Sequence, residues 1–450
     1  MDSMQSHEER PSGGLGLRQS VLVGVTLFSM FFGAGNLILP PLLGLQAGTY
    51  APEAMAGFLV AAIGLPVLGI VAVALSGTIR QLADRVHPLF STVFVAAVYL
   101  AIGPCLAIPR TSSTSFEMLV PLLPAGVGVE AARLAFSLAF FVVAYLLALH
   151  PGQLTRLLGT VTGPALVALI VVVSVASLVA PTGSAVAASD PYDAVPAVQG
   201  FLTGYQTMDL LASLTFGIVI AENIRGLGVR DDADVAREIS KAGLLMGVLM
   251  GLIYCAFAYV GVTMGSVMPE ASNGAAILTA SATAHFGLAG TVVVAAIFLL
   301  ACLNVCVGLI SCCGTYFSEQ LPRVPYRAMA AAFAAFSCFV SNFGLDAILA
   351  FSVPLLSALY PVAIVLVAMG MAHGALASRA VVWPCVVAPV AVVSVCEAVR
   401  SALLPGAWLP SDALPLAAIG LSWVVPAIAG LVVGLAWSAA RPGVRGDASR

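Results

Sequence analysis

Charge is scarce in this 450-residue sequence: 9% of residues are charged and 60% are hydrophobic, with a mean hydropathy of +1.06. Soluble globular domains carry about 25% charged residues, so this chain lacks the polar groups to cover a water-facing surface of its size. That excludes an aqueous enzyme, a nucleic-acid binder and a disordered scaffold together. A net charge of −3 leaves no basic excess for a polyanion, and no nucleic acid is expected as a partner. Ahead of the first apolar stretch stand Glu8 and Glu9, without an apolar core and cleavage site, so a removable signal peptide is not expected. The GxxxxGK[ST] phosphate loop is missing, and ATP-driven transport would need another subunit. No His/Asp/Glu cluster with catalytic spacing points to a membrane enzyme, and no repeated filter or charged ring points to a channel.

Cysteine is present, nine in all, but none falls in a predicted outer loop where an oxidising compartment would pair it. Cys302 and Cys306 share a helix face without His or carboxylate partners. They read as small packing residues.

Uncharged windows cover 19–52, 54–79, 157–189, 242–269, 271–318, 347–378 and 413–440. About 20 apolar residues cross a bilayer as one helix, so the longest window holds a span plus a re-entrant or interfacial piece. With the shorter apolar stretches, twelve spans are predicted. They lie near 18–45, 53–79, 90–116, 131–149, 157–180, 196–223, 243–267, 291–317, 328–341, 346–371, 381–401 and 414–438. The polar/apolar alternation of an outer-membrane barrel is missing. The expected fold class is an all-α integral membrane bundle.

Basic residues set the orientation. With the N-terminus in the cytoplasm, the inner segments hold all 18 Lys and Arg except Arg110, Arg133 and Arg400. Lys and Arg favour the cytoplasmic side, so both termini are predicted to be cytoplasmic. Glu53, Glu130, Asp190, Asp193, Glu270 and Asp412 fall in outer loops.

Two spans are interrupted in a particular way. Span 1 reads Phe31-Phe32-Gly33-Ala34-Gly35-Asn36-Leu37-Ile38-Leu39-Pro40-Pro41, and span 6 reads Phe201-Leu202-Thr203-Gly204-Tyr205-Gln206-Thr207-Met208-Asp209. At 1.5 Å per residue, each cluster lies roughly 12–22 Å from its membrane boundary, near the midplane. Spans 1 and 6 also open two successive five-span sets. Five is odd, so the second set enters from the opposite side, the signature of an inverted-repeat transporter with discontinuous helices. The expected organisation is a cytoplasmic tail (1–17), a first repeat (18–181), a second repeat (196–371), two extra spans (381–438) and a second tail (439–450).

Unwinding frees carbonyls at the end of a first half-helix and N–H groups at the start of the second. Carbonyls suit a small cation or an ammonium, and the N–H end suits a carboxylate. A zwitterionic amino acid needs both. Gly-rich kinks serving only close helix packing are the alternative, but two breaks at matching repeat positions favour a ligand site.

Here the sequence resembles the branched-chain amino acid:cation symporter family. The resemblance rests on Phe32-Gly33-Ala34-Gly35-Asn36-Leu37 with Pro40-Pro41, Gly44-Leu45-Gln46-Ala47-Gly48, Gly103-Pro104, Ile108-Pro109-Arg110-Thr111 and Ser115-Phe116-Glu117. It continues through Gly204-Tyr205-Gln206-Thr207-Met208-Asp209, Ser272-Asn273-Gly274-Ala275-Ala276-Ile277-Leu278, Ser341-Asn342-Phe343-Gly344-Leu345 and Ser352-Val353-Pro354, covering about 18–441. It implies a bacterial inner-membrane carrier for leucine, isoleucine and valine, driven by sodium or protons. The implied fold is a LeuT-type core of two inverted five-helix repeats with two additional C-terminal helices. A carrier for another small neutral solute is the alternative.

By that resemblance the substrate determinants fall on Gly33, Ala34, Gly35 and Asn36 and on Gly204, Tyr205, Thr207 and Met208. Chemistry assigns the N–H groups of Gly35, Asn36 and Leu37 to the carboxylate and carbonyls near Thr203 and Gly204 to the ammonium. Tyr205 and Met208, with spans 3 and 8, would enclose the aliphatic side chain. A sodium site in this architecture takes carbonyls from span 1, here Ser29 and Phe32, and oxygens from span 8. There Val305 and Cys306 offer no good ligand, Asn304 is the expected donor, and Ser311 lies two turns on. Asn304 has a second reading as a hydrogen bond between helices, so proton coupling stands beside sodium. No other cofactor is expected.

Arg110 and Glu117 share one face of span 3 if the helix continues past Pro109. Intramembrane ionisable residues are functional candidates by default, and an outer-end structural ion pair is the other reading. Asp209 either caps the second half of span 6 or touches an ammonium or the coupling ion. Glu222 beside Arg225 reads as a solvated or gating pair. His7, His87, His150 and His373 are terminal or loop-facing and His285 precedes span 8, which leaves no histidine relay through the core.

Overall fold

The computed structural model describes residues 14–124, 126–149, 163–229, 231–376 and 379–440. The described residues are helical with no strand, as immersion in lipid demands, because a helix satisfies its backbone polar groups within one segment. Among the described residues, seven helical runs are long and apolar enough to cross a membrane, including Val129–Ala148, Asp232–Met264, Leu345–Met371 and Val382–Leu403. Leu17–Phe31, Tyr326–Ser341 and Val424–Ala440 are shorter apolar helices, at the positions of spans 1, 9 and 12. Span 5 is seen as Gly163–Val179. Residues 157–162 of that span, together with His150, Arg156 and His7, lie outside the described residues, as do the side chains of Glu222 and His373.

Several boundaries differ from the expected ones for identifiable reasons. Span 7 starts well before its uncharged window, because Asp231 accepts the Asp234 N–H and caps a helix running from Asp232 to Met264. Its charged first turns form a wet extension of the span. Span 8 belongs to the run Gly274–Gln320, which bends at Gly287 (φ 60, ψ −152), a conformation only glycine adopts cheaply. The helix before that bend is the extra piece the long window required. Span 12 begins at Val424, after short 3₁₀ turns at Pro410–Ala413 and Ala417–Ile419. Span 3 carries a third break: Gly103 is non-helical (φ −94, ψ −125) beside Pro104, and a regular helix resumes at Ala107. Proline removes a helical N–H and clashes with the preceding turn.

Both halves of span 1 pack along span 7, both halves of span 6 along span 2, and the second part of span 3 along span 8. A Cβ on Gly44 would strike the Ala258 carbonyl, and one on Gly261 the Pro41 carbonyl. At the other interface, Gly57 and Gly200 stand in the same relation to Ala197 and Ala54. Lipid supplies no hydrophobic drive between helices, so small residues that admit close approach replace it. The two interfaces repeat one another, as inverted repeats require. Span 10 packs on span 11 and span 11 on span 12, which places the last two beside the core rather than within it.

Candidate functional site

The two broken helices meet at the centre. Span 1 stops at Phe31 and restarts at Ala34, and the intervening Phe32 and Gly33 are extended (φ −76, ψ 91 and φ −123, ψ −166). Span 6 runs as a helix over Pro196–Gly204, tightens into a 3₁₀ turn at Tyr205–Thr207, and restarts at Asp209. Between them Met208 is left-handed (φ 64, ψ 9), an uncommon state for a residue with a long side chain.

Arg110 and Asp209 bring opposite charges to these breaks, each only 3% exposed. From span 3, Arg110 donates through Nη1 to the Gln206 carbonyl at 2.6 Å and through Nη2 to the Thr207 carbonyl at 3.5 Å. Those carbonyls are available because span 6 is unwound there. The Arg110 Nε is buried without a partner. On the other side, Asn36 Nδ2 donates to Asp209 Oδ2 at 2.7 Å and to the Tyr254 hydroxyl at 2.5 Å. One amide thus ties span 1 to spans 6 and 7. The Thr207 hydroxyl donates to the Gly204 carbonyl at 2.9 Å and accepts the Asp209 N–H at 3.4 Å. An isolated buried charge is costly, and the opposite charges of Arg110 and Asp209 offset one another across the space between them.

That space is a cavity of about 40 Å³ lined by both charged residues, both breaks and spans 3 and 8. Its apolar wall is Met30, Phe31, Ile102, Met208, Phe216, Val305 and Leu309; Thr111 and Thr207 add hydroxyls. A cavity of roughly 150 Å³ holds benzene, so a site of this size must widen to admit an amino acid.

Residues 17–441 match the family described as branched-chain amino acid transport proteins. The chain belongs to that family. It is 40% identical to the branched-chain amino acid transport system 2 carrier protein of Pseudomonas aeruginosa, over 91% of this chain and 94% of that protein. It is 38% identical to the branched-chain amino acid permease BraB of Bacillus subtilis, over 93% and 95%. Among solved structures it resembles Mhp1, a nucleobase-cation-symport-1 family transporter in a closed conformation, with a TM-score of 0.61 and 12% identity, covering 95% and 94% of the two chains. A manganese transporter of Eremococcus coleocola gives 0.57 at 12% identity, covering 94% and 96%. At that identity the likeness shows the fold, a LeuT-type membrane bundle. The protein is a multi-pass transport protein and not an enzyme.

Within this family fold, Gly33, Ala34, Gly35, Asn36, Arg110, Thr207, Met208 and Asp209 line the cavity. Thr203, Gly204 and Tyr205 do not. The Thr203 hydroxyl is 2.8 Å from that of Tyr192, a Cβ on Gly204 would lie 2.5 Å from the Ala61 Cβ, and the Tyr205 ring stacks on Tyr360 at 4.4 Å. The cause is that span 6 stays helical through Gly204, so Gln206 and Thr207 supply the freed carbonyls. The register of span 1 shifts likewise. Its second half starts at Ala34, so the unpaired first-turn N–H groups belong to Ala34, Gly35 and Asn36 rather than extending to Leu37.

Arg110 makes no ion pair with Glu117 among the described residues; its donors are turned toward the span 6 carbonyls. Phe32 stacks on Phe28 at 4.8 Å, and the Ser29 hydroxyl is buried without a partner. Asn304 is half-buried and lies off the cavity; Val305 faces the break, 3.3 Å from where a Cβ on Gly33 would stand. On span 8 the buried, unpartnered oxygen is that of Ser311. Tyr254 had no signal of its own in the sequence and acquires its place through its contact with Asn36, whereas the Gly103 break stands at the Gly103-Pro104 pair.

Proposed function

We propose that the protein imports leucine, isoleucine and valine across a bacterial inner membrane by alternating access, coupled to sodium or protons. The observation that carries this reading is the lining of the central cavity. It joins an apolar wall to a free helix N-terminus, a guanidinium and a carboxylate, the complement of an aliphatic zwitterion. Its relatives are named as branched-chain amino acid permeases and carriers. In this reading Gly33, Ala34, Gly35 and Asn36 receive the carboxylate, Thr207 and Met208 flank the substrate, and Thr203, Gly204 and Tyr205 support the break from behind. Spans 1, 2, 6 and 7, held together by close glycine contacts across the two repeats, move as one body against the rest of the bundle. Both termini face the cytoplasm, because the basic residues cluster in the segments that this places inside.

Coupling to sodium would use the carbonyls of Ser29 and Phe32 with an oxygen from span 8, either Asn304 or Ser311. The orphaned hydroxyls of Ser29 and Ser311 support a hard cation there, because buried polar atoms normally have partners. The decisive experiment is uptake of labelled leucine by proteoliposomes under an imposed sodium or proton gradient. Isoleucine and valine should compete well, since one methylene is worth only about 1–3 kcal/mol in such a pocket. Glycine and lysine should compete poorly. Downhill flux indifferent to every ion gradient, or equal competition by lysine, refutes the reading. Asn304→Ala or Ser311→Ala should raise the half-saturating sodium concentration more than that of leucine. An unchanged sodium response in both variants removes Asn304 and Ser311 from the site, and uptake that follows the proton gradient alone assigns the coupling to protons.

A further inference from the structure

We propose that Arg110 and Asp209 form a charge-exchange pair that recognises the two ends of the substrate's zwitterion. The inference rests on the amino-acid transport reading and assigns the counter-charges within it.

Three features converge on one side of the cavity. The N-terminus of the second half of span 1 presents the partial positive charge of its unpaired N–H groups. The Arg110 guanidinium stands against the same turn: a Cβ on Gly35 would come within 2.5 Å of Nη2 and 3.0 Å of Cζ. Two positive features face one another there, and the buried Nε has no acceptor. A carboxylate between them would satisfy both. The guanidinium leans on the carbonyls of Gln206 and Thr207, which are weaker partners than an anion.

The opposite side is arranged for a cation. Asp209 lies in the first turn of the second half of span 6, where the helix dipole favours its negative charge. Asn36 fixes it from span 1. When the substrate carboxylate takes the guanidinium, the Gln206 and Thr207 carbonyls are released beside Asp209, and together they form a socket for the ammonium. The internal pairing of Arg110 with the span 6 break is replaced by two substrate pairings. No net charge enters the site, and the two broken helices are drawn onto one ligand. It follows that a fixed guanidinium, not the coupling cation, neutralises the substrate carboxylate.

Binding to purified, lipid-reconstituted protein tests this with three probes: leucine, 4-methylpentanoate (leucine without its ammonium) and 3-methylbutylamine (leucine without its carboxylate). Wild-type protein should bind leucine well and both analogues weakly. Arg110→Gln should weaken leucine about 30-fold or more, as truncating one member of a buried charge pair does, while leaving the amine unchanged or tighter. Asp209→Asn should do the reverse, sparing or improving the acid. Should a neutral variant not fold, Arg110→Lys and Asp209→Glu retain the charges and should shift the leucine-to-amine and leucine-to-acid ratios in those same opposite senses. If both variants weaken all three probes equally, or neither shifts any ratio, the charge-exchange assignment is overturned while the transport reading stands. If wild-type protein binds none of leucine, isoleucine and valine, the transport reading itself fails.

Discussion

The breaks of spans 1 and 6 occupy equivalent positions in the two repeats but are built from different chemistry. Span 1 opens by two extended residues ending in glycine, and it meets the cavity with backbone N–H groups and small side chains. Span 6 opens by a tightened turn and a left-handed methionine, and it meets the cavity with carbonyls, Asp209 and a thioether. One break therefore offers positive backbone and room, the other negative charge and an apolar wall. An approximately symmetric fold can bind an asymmetric ligand because its two halves diverge at this point. A substrate with a carboxylate, an ammonium and an aliphatic arm has the same asymmetry.

The largest test of this contrast compares a glycine from each break. Gly35 faces the cavity and Arg110, so Gly35→Val places a branched side chain where the guanidinium stands. It should abolish leucine uptake while membrane expression stays close to normal. Gly204 instead faces span 2, and Gly204→Ala should overpack against Ala61 at a cost of about 1–3 kcal/mol. Its thermal stability should fall by several degrees, with leucine affinity retained in the protein that folds. If Gly35→Val transports normally, or Gly204→Ala loses affinity without losing stability, the assignment of one break to ligand and the other to packing is wrong.

A smaller effect is expected where the breaks are tied together. Asn36→Ala removes the amide that donates to Asp209 and Tyr254. A hydrogen bond to a buried charged group contributes about 1.5–3 kcal/mol, so leucine affinity should drop about tenfold or more. Tyr254→Phe leaves the Asn36–Asp209 bond in place and should cost distinctly less. Equal affinities for the two variants and wild type, measured by equilibrium binding, would show that the breaks act independently.

What was legible in the sequence follows the nature of each constraint. The bilayer acts along the chain, so the uncharged windows disclosed the helical membrane bundle. The breaks were legible because glycine, proline and polar residues at midplane depth have few other uses. Distances across the bundle were not legible. Arg110 turns to span 6 instead of toward Glu117 because unwound carbonyls lie within its reach, and no spacing within span 3 encodes that. The same holds for Tyr254, an ordinary aromatic until Asn36 meets it. The shift from Thr203 and Gly204 to Gln206 and Thr207 arose because a glycine permits a break without dictating where the helix ends. Here the chain unwinds after Gly204, at the turn that leads into Met208.

Met208 gives the finest test. Its left-handed backbone costs a non-glycine residue about 1–2 kcal/mol, yet its side chain is 2% exposed and lines the cavity. Met208→Gly would relieve that strain, but a glycine there adds about 0.5–1 kcal/mol of backbone entropy to the unfolded chain. The two backbone terms nearly cancel, so the loss of the buried side chain, about 2–5 kcal/mol, sets the fall in melting temperature. The missing thioether leaves part of the apolar wall open, so the leucine concentration for half-maximal uptake should rise roughly three- to tenfold. Phenylalanine, too large for the wild-type wall, should gain as a competitor relative to valine. If the affinity and selectivity of the variant stay as in wild type, the strained methionine serves the turn alone, and the span 6 break meets the substrate only through its carbonyls and Asp209.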